Sequence, residues 1–177
     1  ESRWEEAASY LRMVYRRRLF DIIADDLLAE NAYAPDHVES ITARLSEAAD
    51  EALQGALYIA RLLEAPDAEV PLCIIAMGKT GGGELNYVSD VDVMYVLADS
   101  APTEDAEVTR LRLERATRIA SLVASICSSP SKEAPLWSVD ANLRPEGRDG
   151  ALVRTIDSYR AYWDRWAQNW EFQALLK

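Results

Sequence analysis

The feature that most constrains this chain is a pair of aspartates at the start of an apolar, β-branched run. Residues 89–97 read SDVDVMYVL, and three glycines, Gly81–Gly83, lie just upstream. Asp90 and Asp92 are two positions apart, so on a strand both point to one face while the valine between them points to the other. Carboxylates at the start of a core strand are costly unless a cation neutralises them. The alternative is a pair of solvated carboxylates at a strand end.

A third carboxylate is expected on a neighbouring strand. In the stretch LWSVDANL, Trp137 and Val139 line one face and Asp140 lies on the opposite one. Three converging carboxylates suit Mg²⁺ or Mn²⁺, whereas the single histidine of the chain argues against zinc. Two such ions ~3.5–4 Å apart are typical of phosphoryl-transfer sites. Ser89, where the loop meets the strand, offers a hydroxyl to a phosphate oxygen.

The glycine-containing segment GKTGGG fits neither common phosphate-binding fingerprint. A P-loop would need glycine where Cys73 stands, and the spacing GxGxxG is absent. Three consecutive glycines still allow the backbone to approach a phosphate with its N–H groups aimed at it. A plain flexible turn is the alternative, and the residues alone leave both open.

Helical and strand periods predict an α+β fold, in which helices back a small mixed sheet and the carboxylates lie at one edge. The expected elements, in chain order, are two helices within residues 1–69, strands at 70–77 and 91–98 around the glycine loop, a helix from Pro102 and Thr103, a strand at 136–143, a loop, and one last helix from Thr155. The aromatic stripe of that helix, Tyr159 to Trp170, is interpreted as core packing rather than as a platform for nucleotide stacking.

Composition limits the function classes. The net charge of −11 argues against binding to nucleic acid. The longest strictly apolar run, Leu72–Met77, is far too short for a membrane span. Cys73 and Cys127 lie in apolar stretches without CxxC spacing, so we expect reduced core cysteines and a cytoplasmic location. The chain starts with glutamate and stops in mid-pattern, and it is interpreted as a fragment of a longer protein.

Three motifs in order resemble one family. They are GKTGGGELNYVSDVDVMYV from Gly78, VDANLRPEGRDGALV from Val139 and WEFQALLK from Trp170. Together they resemble the bacterial glutamine synthetase adenylyltransferase/deadenylylase, a bifunctional nitrogen regulator of the DNA polymerase β-like nucleotidyltransferase superfamily. The resemblance covers about Ile74 to Lys177, while residues 1–69 match only in being helical.

The resemblance implies a domain plan and a set of site residues. A polymerase β-like nucleotidyltransferase core is expected at residues 70–154, after an N-terminal helical region at 1–69 and before the start of a C-terminal helical region at 155–177. The site residues implied are the metal-holding Asp90, Asp92 and Asp140 and the phosphate-binding Gly81, Gly82 and Ser89.

Further contacts to the nucleotide are expected around this set. Lys79 is a nucleotide-binding candidate. Arg144 and Arg148 are candidates for holding an incoming phosphate, because arginine offers a bidentate fork; plain surface charge is their alternative. Asn142 stands where family members often carry arginine, two residues after the third aspartate.

The same resemblance implies the reaction. Asn86 follows Glu84 and Leu85 where the adenylylating half of the family tends to have glycine, and WEFQALLK is similar to the N-terminal half of actinobacterial members. This favours phosphorolytic removal of AMP from a tyrosine of glutamine synthetase, giving ADP. The alternatives are adenylylation of that tyrosine from ATP and a catalytically inactive nucleotidyltransferase fold that binds a regulator. Glutamine synthetase is the partner implied, with the PII signal protein and glutamine as further candidates.

Overall fold

The computed structural model describes residues 3–67, 69–98 and 105–176, in which a small mixed sheet lies against a layer of helices. In chain order the elements are α1 (Arg3–Leu28), α2 (Pro35–Glu64), β1 (Leu72–Ala76), α3 (Gly78–Gly81), β2 (Val91–Leu97), α4 (Ala106–Ser128), β3 (Val139–Asp140), a 3₁₀ turn (Gly147–Asp149), β4 (Val153–Thr155), α5 (Ile156–Arg165) and α6 (Asn169–Ala174). The α+β class predicted from the sequence is confirmed.

Strand β2 is the centre of the sheet. It pairs antiparallel with the whole of β1, from Leu72 opposite Leu97 to Ala76 opposite Val93. On its other side it pairs in parallel with β3 at its start and with β4 at its end. All residues of β2 except Asp92 are buried, as expected of a strand that has neighbours on both sides.

Helices α1, α2 and α4 share one hydrophobic core with the sheet. Small residues let the helices approach closely: Ala8 of α1, Ala49 and Ala56 of α2 and Ala120 of α4 have no exposed surface.

Helix α4 begins after Asp105, whose carboxylate accepts the Glu107 N–H. The predicted start of this helix at Pro102 and Thr103 lies outside the described residues. None of the described helices is long and apolar enough to cross a membrane.

Strand β1 is less buried than its sequence predicts. One face of the strand packs on the core and the other is open to solvent, so its residues alternate in burial. Cys73 is exposed for this reason, and the expectation that it is a core residue is wrong. Cys127, on the inner face of α4, is buried as expected.

The single helix predicted after Thr155 is two helices. Glu171 causes the break, because its carboxylate accepts the Gln168 N–H at 2.7 Å and so begins α6. The other oxygen of Glu171 accepts the Tyr162 hydroxyl at 2.9 Å. Core packing is confirmed for Tyr159, which is buried and contacts the ring of Trp163.

At the far end of the stripe the expectation of core packing is wrong. Trp166 is 70% exposed and Trp170 is 58% exposed.

Strand β4 was not predicted from the sequence. Its three residues are too few for a period, and parallel pairing of Val153 with Tyr95 of β2 is what forms it.

A buried arginine joins α1 to the end of α4. The Arg12 side chain has no exposed surface, and its guanidinium donates to the carbonyl oxygens of Ile126 at 2.7 Å and Ser129 at 2.8 Å. It also donates to Ser131 Oγ at 2.7 Å and the Glu133 carbonyl at 2.8 Å. The guanidinium therefore satisfies the unpaired carbonyls of a helix C-terminus and holds the segment that leads to β3.

Arg12→Ala is expected to lower the free energy of unfolding by about 3 kcal/mol or more, because several buried carbonyls lose their donor at once. Urea unfolding measures the change. Arg17→Ala is the matched control, since Arg17 lies on the exposed side of the same helix and its loss should stay within about 0.5 kcal/mol. Equal stability of the two variants would contradict the anchoring role of Arg12.

Candidate active site

Three carboxylates meet where β2 and β3 begin to pair. The parallel register places Asp92 directly opposite Asp140, and Asp90 lies just before β2. One oxygen from each of the three carboxylates lies within 4.8 Å of the other two. Asp92 and Asp140 are half-buried and Asp90 is exposed, so the group opens to solvent on one side. The structure thus brings together the three acids that the sequence singled out.

The backbone around these acids is fixed by the sheet. Val91 has no exposed surface, and its N–H donates to the Ser138 carbonyl at 2.9 Å. The Asp92 carbonyl accepts the Met77 N–H at 2.8 Å, which extends the β1–β2 pairing to the end of the glycine segment. Because side chains alternate along a strand, burial of Val91 turns Asp92 to the opposite face.

Asp140 is oriented by its own backbone. Its Oδ1 accepts the Asn142 N–H at 2.7 Å, an Asx turn that leaves the other oxygen for a further ligand. Asn142 thus serves the site through its main chain.

Asp92 is the electrostatic centre of the group. Burial, followed by the negative charges of Asp90 and Asp140, raises the pKa of the Asp92 carboxyl, and Lys79 partly offsets this. The direction is that of carboxylates gathered without a bound cation. Oxygen ligands in this number are the donor set that Mg²⁺ and Mn²⁺ prefer, so the residues fit the metal that the sequence suggested.

The glycine segment forms a helical turn and not an open loop. The N–H groups of Gly81, Gly82 and Gly83 donate to the carbonyls of Met77, Gly78 and Thr80. Those three amides are therefore engaged within the turn, which differs from the expectation that they point at a phosphate. A phosphate-binding role for Gly81 and Gly82 stays a prediction.

Sequence reasoning missed the glycine that touches the carboxylates. Gly78 has φ +56°, and a Cβ built on it would lie 2.7 Å from Asp92 Oδ2. The position therefore needs both the left-handed conformation and the missing side chain. The available signal was a glycine directly after a strand, ahead of the more conspicuous Gly81–Gly83.

Lys79 and Ser89 face each other beside the carboxylates. Lys79 Nζ donates to Ser89 Oγ at 3.3 Å. Both residues, together with Asp90, line a cavity of about 450 Å³. Its other wall is apolar and includes Trp137 and Leu136. A cation, a hydroxyl and a carboxylate thus share one concave surface, which is the usual setting of a small-molecule site.

The two arginines of the following loop differ in their surroundings. Arg144 donates to the carbonyls of Ala141 at 2.7 Å, Gly150 at 3.1 Å and Arg148 at 3.2 Å, so it braces the loop between β3 and β4. The Arg148 side chain is exposed. Binding of phosphate by either residue stays a prediction, and Arg144 would keep only part of its donor capacity for it.

Asp92→Asn is expected to raise the thermal midpoint at neutral pH, measured without divalent ions. Because the folded-state pKa of Asp92 lies above its unfolded value of about 3.9, ionisation destabilises the fold as pH rises through that interval. The gain should therefore shrink as pH falls toward about 4. Asp164→Asn, an exposed carboxylate on α5, is the control and should show no such trend. A lower midpoint for Asp92→Asn at neutral pH would contradict the repulsion.

The chain is similar to proteins of one family. A family model described as glutamate-ammonia ligase adenylyltransferase matches residues 1–177, which includes the helical region where the motifs gave no resemblance. Two curated proteins named bifunctional glutamine synthetase adenylyltransferase/adenylyl-removing enzyme are similar to it. The one from Leifsonia xyli is 50% identical over 98% of this chain, and the one from Bifidobacterium longum subsp. infantis is 47% identical over 97%.

A third protein of the same name, from Streptomyces avermitilis, is 48% identical over 94% of the chain. The chain spans only 16% to 18% of the length of these relatives. The family model nevertheless covers every residue of the chain and agrees with the resemblance carried by its three motifs. The chain belongs to the glutamate-ammonia ligase adenylyltransferase family.

Proposed function

We propose that this chain carries out nucleotidyl transfer at the phosphorus of an AMP group, with Asp90, Asp92 and Asp140 holding Mg²⁺ or Mn²⁺. The observation that carries the proposal is the convergence of the three carboxylates at one sheet edge. A plain structural role does not account for this placement, because gathering the acids raises the pKa of Asp92 and so destabilises the ionised form. The bound metal would offset negative charge on the attacking and leaving oxygens.

The residues around the carboxylates have separate tasks in this proposal. Asp140 is pre-oriented by the Asn142 N–H, so it needs little reorganisation to act as a ligand. Lys79 and Ser89 line the adjacent cavity and offer an ammonium group and a hydroxyl to phosphate oxygens. Arg148 is exposed and adds a second cation from the following loop. Gly78 keeps the space beside Asp92 clear.

We place the chain in the AMP-removing direction. A phosphate oxygen attacks the AMP phosphorus and the bond to the tyrosine oxygen breaks, so ADP forms and the phenolate takes a proton. A phenol has a pKa of about 10, so charge stabilisation can suffice without a strong acid. Support for this direction comes from the family resemblance: Asn86 stands where the adenylylating half tends to have glycine, and the closing WEFQALLK is similar to the N-terminal half of actinobacterial members.

The names of the relatives supply the proposed partner. They are glutamine synthetase adenylyltransferase/adenylyl-removing enzymes, and we propose adenylylated glutamine synthetase as the substrate. The PII protein and glutamine are further proposed partners of the longer protein, on the family resemblance alone.

The chain, given adenylylated glutamine synthetase with phosphate and Mg²⁺, is expected to release ADP. Given unmodified glutamine synthetase and ATP, it should attach little or no AMP. Asp92→Asn should abolish ADP release, and Asp164→Asn should leave it unchanged, which separates the site from a general charge effect. Pyrophosphate in the second assay without ADP in the first would favour the adenylylating direction. If neither product forms and the chain also binds no Mn²⁺ or ADP, the inactive regulator-binding module would be favoured.

Gly78→Ala is expected to weaken Mn²⁺ binding, because the new methyl group must displace the Asp92 carboxylate. Gly83→Ala is the matched control: Gly83 has a similar φ of +71°, yet its Cβ would meet no atom within 4 Å. In both variants an alanine must adopt a positive φ, which costs about 1–2 kcal/mol. Only the contact with the Asp92 carboxylate therefore distinguishes the two variants. Mn²⁺ titration followed by electron paramagnetic resonance measures the difference. Equal affinities would argue against Asp92 as a metal ligand.

A further inference from the structure

The segment that leads to Asp90 is held at two points by the helical region. We call residues 82–90, between α3 and β2, the Asp90 loop. Leu85 is buried and its N–H donates to Ser46 Oγ of α2 at 3.1 Å. Two residues later, the Tyr87 hydroxyl donates to Asp26 Oδ2 of α1 at 2.7 Å. The next fixed point is Val91, already in the sheet.

Tyr87 is only partly buried. The residue is 45% exposed and its neighbour Val88 is 93% exposed, so much of this part of the loop lies in solvent. Within residues 86–90, all of which the structure describes, the other side-chain hydrogen bonds are local: Asn86 Oδ1 accepts from Val88, and Ser89 Oγ accepts from Lys79. The phenolic hydroxyl is therefore the side-chain group of this segment that is hydrogen-bonded to α1.

The acceptor of this bond is itself held in place. Asp26 Oδ1 lies 2.9 Å from His37 Nε2 at the start of α2, so each carboxylate oxygen has one partner. Next to it, Asp25 pairs with Arg44 at 2.7 Å and ties the same two helices. Asp26 therefore presents a fixed, negatively charged acceptor, and a hydrogen bond to a charged acceptor is stronger than a neutral one.

Two cavities meet at this contact. The cavity beside the carboxylates and a second one of about 510 Å³, between the end of α1 and the start of α2, share Leu45, Asn86 and Tyr87 in their walls. Asp26 and Tyr33 line the second cavity. The Tyr87–Asp26 bond thus lies where the helical region meets the wall of the proposed active site.

We propose that Tyr87 is a positioning residue, whose hydrogen bond to Asp26 fixes the Asp90 loop and thereby the place of Asp90 beside Asp92 and Asp140. The proposal rests on the proposed metal-dependent function of those acids. Asp90 follows Tyr87 by three residues, so at most roughly 10 Å of chain separates them. With the anchor, residues 88–90 have no hydrogen bond to α1 or α2; without it, that stretch extends to residues 86–90. The longer stretch has more conformational freedom next to the Asp90 carboxylate.

Ionisation favours the bond around neutral pH. The hydrogen bond from Tyr87, followed by that with His37, lowers the pKa of Asp26. Burial, followed by the same bond, raises the pKa of Tyr87 to about 12. The donor keeps its proton and the acceptor its charge, and the charge of Arg44 partly offsets the rise in the pKa of Tyr87.

The test compares Tyr87→Phe with Tyr33→Phe in the metal-free chain and with Mn²⁺. Tyr33 is the matched control, because it is 97% exposed and lines the same second cavity. Tyr87→Phe should speed amide hydrogen exchange at residues 86–90 without metal, and it should weaken Mn²⁺ binding by roughly tenfold. Tyr33→Phe should change neither. A purely structural role would lower the thermal midpoint without a specific loss of Mn²⁺ affinity.

Variants of the acceptor, Asp26, provide a second test of the proposal. Asp26→Ala should reproduce Tyr87→Phe, and the double variant should be no weaker in Mn²⁺ binding than either single variant. Asp26→Asn keeps an acceptor oxygen, so its Mn²⁺ affinity and its exchange at residues 86–90 should be close to those of the original chain. Unchanged exchange at residues 86–90, or faster exchange with unchanged Mn²⁺ affinity, would overturn the proposal. Failure of the original chain to bind Mn²⁺ would instead contradict the proposed function, and the exchange data would still decide whether Tyr87 anchors the loop.

Discussion

The burial of one charge, that of Arg12, fixes where helix α1 packs against the end of α4. A guanidinium without exposed surface is tolerated only when its donors are satisfied, and here the acceptors are carbonyl oxygens at and beyond the end of α4. Carbonyls at a helix C-terminus have no donor within their own helix. The guanidinium supplies those donors, and the carbonyls supply the acceptors that a buried guanidinium needs. Burial lowers the pKa of Arg12, but the group remains charged because the value starts so high. Helix α1 is therefore bound to one place on α4 and cannot slide along it.

The same helix controls both segments that deliver the carboxylates. Near its start, Arg12 holds Ser131 and Glu133 on the way to β3 and Asp140. Near its end, Asp26 holds Tyr87 on the way to Asp90. Asp92 lies within β2 and has no such contact on the way to it. The helical region thus contributes none of the three acids, and yet α1 holds the segments that lead to two of them.

The sequence predicts the parts of this arrangement that are local in the chain. The alternation around Asp90 and Asp92 gives the shared face, and the apolar run gives β2. Asp140 is recognisable because its neighbours alternate in the same way, and its alignment with Asp92 then follows from parallel pairing. The missed features depend on distant partners. Strand β4 exists through Tyr95, the α5–α6 break through Glu171, and the burial of Arg12 through a helix end more than a hundred residues away. Neither period nor motif carries that information.

The electrostatics explain why such tethers are needed. Carboxylates gathered within 4.8 Å repel one another, which favours movement of the acids away from each other. Asp92 cannot move, because β2 is buried and paired on both sides. Asp90 and Asp140 could move, since each lies at the junction of a strand and a loop. The Asx turn at Asn142 restrains Asp140 directly, whereas Asp90 has no such turn and is exposed. Its position therefore depends on the loop before it, so the most exposed acid is also the one that relies most on a contact outside the sheet.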